Sequence, residues 1–560
     1  MSLSTDIVKF SQIMSSWIAN TQELFFSNEG KDVTIKMLNE AGEVEDVLVP
    51  NYKKMNDMFI TWKNSLNVKN TDGTLFSEDD TPLNVELFGG LTIGEYRDMF
   101  QSYIDDNRVK LIPIGTTTNM QPYHSIAFVT RSNKIKFVGF NNGAVYNYYG
   151  TVNAGCTIEL SQPFEKKDNK IVKIWHCGFH IVILYDDGSL YGRGYQALGH
   201  FGIGNTAIVY RFVLIATDVV DYISASHGDN DEAPSAKILK TDGSVWASGD
   251  NGHGECGVGT TTNLYTWTKC YDPVVYGGDK AVQVYIEGDD VAYSMIVTEN
   301  GKLWVAGYNG YGQLGVGDVV QRSSFVNVSP SIFDSAVKKI ALGGYTDAHY
   351  GGTTLVLTTN GRVYSTGFND YGQCSSNNTT QKNSFSEIVY DSSHNVATDK
   401  VVDILSVHRS SYILTESGKL YSCGLNNYGQ LGLGHFTAQS RMKYVTDNVK
   451  NIYCTIGSDA TDYPTIFITK TTGELMSCGY NGHGECGVGT TVNPNTFVVV
   501  PFSLSHKIVD ICASGYSSSC TTYLLLDDGT VYGCGYNGYG QITGVDIGTA
   551  YISHFTPIKL

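Results

Sequence analysis

The stretch Gly307-Tyr-Asn-Gly-Tyr-Gly-Gln-Leu-Gly-Val-Gly317, preceded by Thr298-Glu-Asn-Gly-Lys-Leu-Trp-Val-Ala306, returns along the chain. Its other copies are DDGSLYGRGYQALGHFGIG from Asp186, DGSVWASGDNGHGECGVG from Asp242, NGRVYSTGFNDYGQC from Asn360, SGKLYSCGLNNYGQLGLG from Ser417, TGELMSCGYNGHGECGVG from Thr472 and DGTVYGCGYNGYGQITG from Asp528. The turn glycines Gly188, Gly243, Gly301, Gly361, Gly418, Gly473 and Gly529 stand 55, 58, 60, 57, 55 and 56 residues apart. So steady an interval means one supersecondary unit used seven times.

Each unit holds two short β-branched and aromatic runs around a turn, as in Ser411-Tyr-Ile-Leu-Thr415, Glu-Ser-Gly418 and Lys419-Leu-Tyr-Ser-Cys423. That pattern predicts a β-hairpin. A third apolar run lies upstream, as in 337–342 and 507–512, and a fourth falls between copies. Three or four strands per unit make one propeller blade, and a closed ring of blades leaves no long open edge. Closure is expected to draw on both chain ends, with Thr556-Pro-Ile-Lys-Leu560 as a last strand.

The signature glycines allow positive φ and close approach of neighbouring blades, with Gln313 tying loop backbone and Leu314 plugging the core. A phosphate cradle fits poorly, because no helix and no Lys-Ser/Thr pair follows the glycines. These residues resemble the regulator of chromosome condensation repeat family, whose blades carry a Gly-x-Asn-x-x-Gly-Gln-Leu-Gly signature at a similar period. The resemblance covers about 180–560 and implies an all-β fold, a β-propeller of seven blades. Departures occur at His200-Phe201, Glu255-Cys256 and Glu485-Cys486 in place of Gln-Leu, and at Ser375 and Thr543 in place of the next glycine.

Residues 111–560 are read as the propeller and 1–110, which lack the repeat, as a small α+β docking module. Between Lys110 and Thr157 stands an eroded copy, 111–157, with Asn133 placed 55 residues before Gly188. Seven blades are favoured, and eight are compatible with the spacing. In the module Ile7, Phe10, Met14, Trp17 and Ile18 recur at helical intervals after Ser4, and 33–37 with 44–49 form a hairpin around Asn39-Glu-Ala-Gly42. Further helices are expected at Met55, Phe59, Trp62 and Leu66 and at Ile93, Tyr96, Met99, Phe100 and Tyr103. Phe10, Met14 and Trp17 are the candidate docking residues.

The formal charge is −17, and such a field repels phosphate backbones, so nucleic acid is not an expected partner. Charged residues make up only 17% against a usual quarter, so the surface is polar mainly through Tyr, Asn, Ser and Thr. No apolar run reaches the length of a membrane span and the first twenty residues lack a secretion signal. The twelve cysteines form no Cys-x-x-Cys pair, and Cys423, Cys478 and Cys534 share one position before the signature glycine, where a small buried residue suffices.

His253-Gly-Glu255-Cys256 and its duplicate His483-Gly-Glu485-Cys486 carry metal-ligand types but lack the four-ligand set of a structural zinc site. The acidic loop Gly228-Asp-Asn-Asp-Glu232 lacks calcium-loop spacing. Neither cofactor, metal nor catalytic residue is assigned. Surface recognition remains, with Tyr308, Tyr311, Tyr480, Tyr536 and Tyr539 as candidate binding residues, weighed against simple packing on the next blade. The overall layout looks like a bacteriophage tail fibre, which predicts a non-enzymatic virion protein that contacts other virion proteins through 1–110 and a host glycan or protein through the ring, in an oligomeric assembly. The alternative is a cytoplasmic regulatory propeller that binds a protein such as a small GTPase, and a glycan-cleaving enzyme stands behind both.

Overall fold

The computed structural model describes residues 33–38, 44–49, 125–129, 134–139, 158–160 and most of 162–558. The chain divides into two compact units, 1–108 with Lys559 and 109–558 with Leu560. In the first, Val33–Leu38 and Val44–Val49 pair antiparallel with Val33 opposite Val49, the hairpin predicted from the alternation. The three helices expected there, with Phe10, Met14 and Trp17, lie outside the described residues.

The described residues of the second unit are all-β apart from short 3-10 turns such as Pro330–Ile332. Seven four-stranded antiparallel blades occupy 171–216, 219–271, 281–327, 337–387, 401–446, 449–499 and 508–557, each with its strands paired in chain order. In blade 3 the inner strand is Ala281–Glu287, followed by Tyr293–Thr298, Leu303–Gly307 and the outer Arg322–Asn327. The eroded copy forms a three-stranded sheet from Ser125–Val129, Ile135–Gly139 and Ile158–Leu160. Its first strand lies against the inner strands of both blade 1 and blade 7, so the ring closes through it. The last strand, Tyr551–Pro557, starts a few residues before the expected one at Thr556 and completes blade 7, and no described blade mixes strands from the two chain ends.

The second strands are buried along most or all of their length, completely so at Tyr293–Thr298 and Thr353–Thr358, because a sheet packs on each of their faces. The core therefore lies between blades: Met295, Val297, Leu303 and Val305 of blade 3 pack with Val337, Ile340, Leu342 and Val356 of blade 4. Burying each of these side chains contributes roughly 1.5–3 kcal/mol, so stacking, not the single blade, supplies the stability.

Backbone bonds lock the stack. The turn carbonyl of Gly301 accepts the Val337 N–H of the next blade at 2.9 Å, and Gly188, Gly243, Gly361 and Gly418 do the same for Val219, Ala281, Val401 and Val449. Gly301 has φ 70°, and a Cβ there would sit 2.3 Å from the Ala336 Cβ, so only glycine lets the turn reach its neighbour.

In all seven blades the register of the inner strand slips at its second residue, as between Val219 and Asp221 or Val401 and Asp403. A bulge of this kind leaves one residue unpaired and turns it outward.

Candidate functional site

The signature loop is built from three side chains facing inward. Asn309 accepts the Leu314 N–H at 3.0 Å and donates to the Asp318 carbonyl at 2.9 Å, while Gln313 Oε1 accepts the Tyr311 N–H at 3.0 Å. Asn251, Asn369, Asn426, Asn481 and Asn537 each accept the N–H five residues on in the same way. All these amides are buried, so they are engaged by their own loop and do not face a ligand. Leu314 is fully buried, and Gly315, at φ 67°, lies where a Cβ would strike the Phe385 ring of blade 4 at 2.3 Å.

The residue before the signature glycine is a donor across the seam. Thr366 Oγ1 bonds the Gly312 carbonyl of the preceding blade at 2.9 Å, and the thiols of Cys423, Cys478 and Cys534 lie 3.5, 3.4 and 3.3 Å from the carbonyls of Gln373, Gln430 and Glu485. Burial pushes the thiols of Cys423, Cys478 and Cys534 well above the ordinary cysteine range, which suits inert packing residues.

The candidate tyrosines stand along these seams, half-buried. Tyr308 meets the His253 ring of blade 2 edge-on at 5.1 Å, Tyr311 meets Phe368 of blade 4 at 5.3 Å, Tyr480 meets Tyr428 of blade 5 at 5.4 Å, and Tyr536 meets His483 of blade 6 at 5.4 Å. The interplanar angles fall between 83° and 88°, the edge-to-face geometry that aromatic pairs favour. Each ring thus has a packing partner in the neighbouring blade. Tyr539 lies outside the described residues.

The two His-Gly-Glu-Cys copies do not assemble a metal site: among the described residues no group of three His, Cys, Asp or Glu is placed to hold an ion. Cys256 is buried, its Sγ 3.2 Å from the Asp250 carbonyl, with burial pushing the thiol up to about 11. The acidic loop 228–232 lies outside the described residues.

A different surface is created by the bulges. The unpaired residues are Val172, Val220, Val282, Lys338, Val402, Lys450 and Val509, all exposed. They ring the inner-strand ends on the face opposite the signature loops. Lysine at two of the seven positions shows that the geometry does not itself require an apolar side chain. The following residues link blades, with Lys173 Nζ 2.6 Å from Asp221 and Lys339 paired to Asp403, while burial raises Asp510 to about 6.

On the same face the connector after blade 2 presents Val274 and Val275 at 86% and 72% exposure. Its turn is held by Asp272, whose carboxylate accepts the Val274 N–H at 3.0 Å, and by Tyr276 stacked on Tyr271 at 4.8 Å and against Trp304 at 4.4 Å. Sequence reading passed over these valines. The available signal was the paired apolar start of the inner strands, Val219-Val220, Val401-Val402 and Ile508-Val509, which breaks two-residue alternation.

Comparison with known proteins agrees with this architecture. The family pattern described as the regulator of chromosome condensation (RCC1) repeat matches residues 337–373 and 508–541, and a second pattern of the same description matches 417–461. The human X-linked retinitis pigmentosa GTPase regulator is 34% identical over 26% of this chain and 13% of its own length. The Arabidopsis thaliana RCC1 domain-containing protein RUG3 is 28% identical over 44% of this chain and 52% of its own, and the Danio rerio RCC2 homolog 30% identical over 29% and 30%. The chain thus spans about half or less of each of these relatives. Among solved structures, yeast Prp20p is 18% identical with a TM-score of 0.47, covering 66% of this chain and 85% of that one. None of these comparisons supports a virion protein, a tail fibre or host attachment. The chain therefore carries repeats of the regulator of chromosome condensation (RCC1) type, matched at 337–373, 417–461 and 508–541.

Proposed function

We propose that this chain is a binding propeller that makes and breaks no covalent bond itself and docks a protein partner on its bulge face, with small GTPases as the partner class. The observation that carries the reading is the ordered presentation of exposed valines at five bulges and at 274–275, on a fold whose signature residues are occupied with packing. Apolar groups held rigidly at the surface lose little entropy on docking, and recognition surfaces concentrate such anchors. The relative named as a GTPase regulator supports the partner class. The −17 charge disfavours a nucleic acid.

Nucleotide-release assays against a panel of small GTPases test this. At least one should release nucleotide faster with the full chain, and the Val220→Asp, Val282→Asp double variant should lose more than about tenfold of that effect while keeping its Tm, as expected for central contacts. No binding or acceleration by any GTPase would reject the partner class. An undiminished effect in the variant would reject the face.

A further inference from the structure

The eleven residues 251–261 recur identically at 481–491, and in both copies two replacements travel together. Histidine stands where Tyr311, Tyr371 and Tyr428 stand in other blades, and glutamate where Gln313, Gln373, Gln430 and Gln541 stand. In blade 2 both replacements face the seam with blade 3. His253 lies edge-on to Tyr308 at 5.1 Å, and Gly307 approaches so closely that a Cβ on it would sit 3.1 Å from the Glu255 Cα.

Glu255 keeps one half of what glutamine does in the other blades, since its Oε2 accepts the His253 N–H at 3.0 Å. Its Oε1 is buried without a hydrogen-bond partner. In blade 6 the same atom of Glu485 stands 3.3 Å from His483 Nδ1. The groups around Glu255 are Asp250, His253 and Cys256 from its own loop, Lys237 from the second strand, whose Nζ bonds the Glu255 carbonyl at 2.8 Å, and Tyr308 from blade 3.

We propose that the seam between blades 2 and 3 is a proton-operated joint, closed on the neutral carboxyl of Glu255 and loosened when that carboxyl ionises. A buried carboxylate oxygen with no donor is costly, whereas a neutral carboxyl in the same place resembles the amide it replaces. Burial and Asp250 together push the Glu255 carboxyl up to about 7, outweighing Lys237 and the backbone bonds that pull it down. Opening the seam hydrates the group and restores its ordinary acidity. Opening is therefore favoured by rising pH between the open-state value and about 7, and levels off above it.

Hydrogen exchange of the Gly259 amide, which crosses the seam to the Ser323 carbonyl of blade 3 at 2.6 Å, corrected for intrinsic rate, tests the joint in the full chain. In the natural protein the opening equilibrium should rise by up to about tenfold per pH unit from roughly pH 5 to 7, and in Glu255→Gln it should be flat. Glutamine stands at this position in four other blades, so the variant keeps a residue that the fold already accepts. Parallel profiles in the two proteins would overturn the proposal. So would carbon-13 titration of the natural protein placing Glu255 in the ordinary carboxylate range, a readout that needs no variant.

Discussion

At the scale of the residue, the signature is a set of internal fasteners. Asn309 closes its loop through one accepted and two or more donated bonds while fully buried. Asn309→Ala should lower stability by roughly 2–4 kcal/mol, seen as a denaturant midpoint shift, because it strands buried backbone groups. Cys423→Ala removes a weak thiol donor and little volume and should cost less, about 1 kcal/mol by the same measurement. The roles of Gln313, Leu314 and the cysteine position were legible in the sequence, since side chains of one kind that recur at one place in several units answer to the unit's own geometry. The role of asparagine was not: an Asn amide beside a tyrosine looks the same in one dimension whether it faces its own backbone or a sugar.

At the scale of the element, seams matter more than blades. Gly301→Ala places a methyl group against Ala336 at a positive φ and should destabilise by more than about 2 kcal/mol, whereas glycine-to-alanine changes at relaxed turns are mild. In blade 1, His200 takes the glutamine position with both ring nitrogens buried and unbonded, 4.4 Å from the His180 ring. Burial holds His180 down to about 3 and His200 well below the usual range. Unfolded histidines take up protons near pH 6.5 while these two do not, so their contribution is complete above that pH and is lost as pH falls toward 3. The stability of the natural protein relative to His200→Gln should fall by up to about 1.4 kcal/mol per unit as pH drops from about 6.5 to 5, a difference in which the contributions of His180, Glu255 and Asp510 cancel. The hairpins and their turns were readable from alternation and glycine. The bulges were not, because a one-residue slip leaves composition unchanged and shows only as two adjacent apolar residues where one was due.

For the molecule as a whole, the ring and its period followed from the repeat interval, but the manner of closure depends on which strands meet in space. The eroded copy carries no intact signature, yet Val129 and Ile135 pack with Ile171, Ile174, Ile181 and Ile183 of blade 1. A chain starting at residue 161 should expose that cluster, bind an apolar dye and unfold at a lower temperature than one starting at 109; equal melting would mean that blades 7 and 1 meet without it. The central claim is that repeat residues hold the blades together and leave recognition to the opposite face. It is tested most directly by a photo-cross-linking side chain placed singly at Val220, Val402, Tyr311 and Tyr480 of the full chain, with a GTPase identified by nucleotide release as partner. The account predicts cross-links to that partner from Val220 and Val402 alone; capture from Tyr311 or Tyr480 with none from the valines would contradict it.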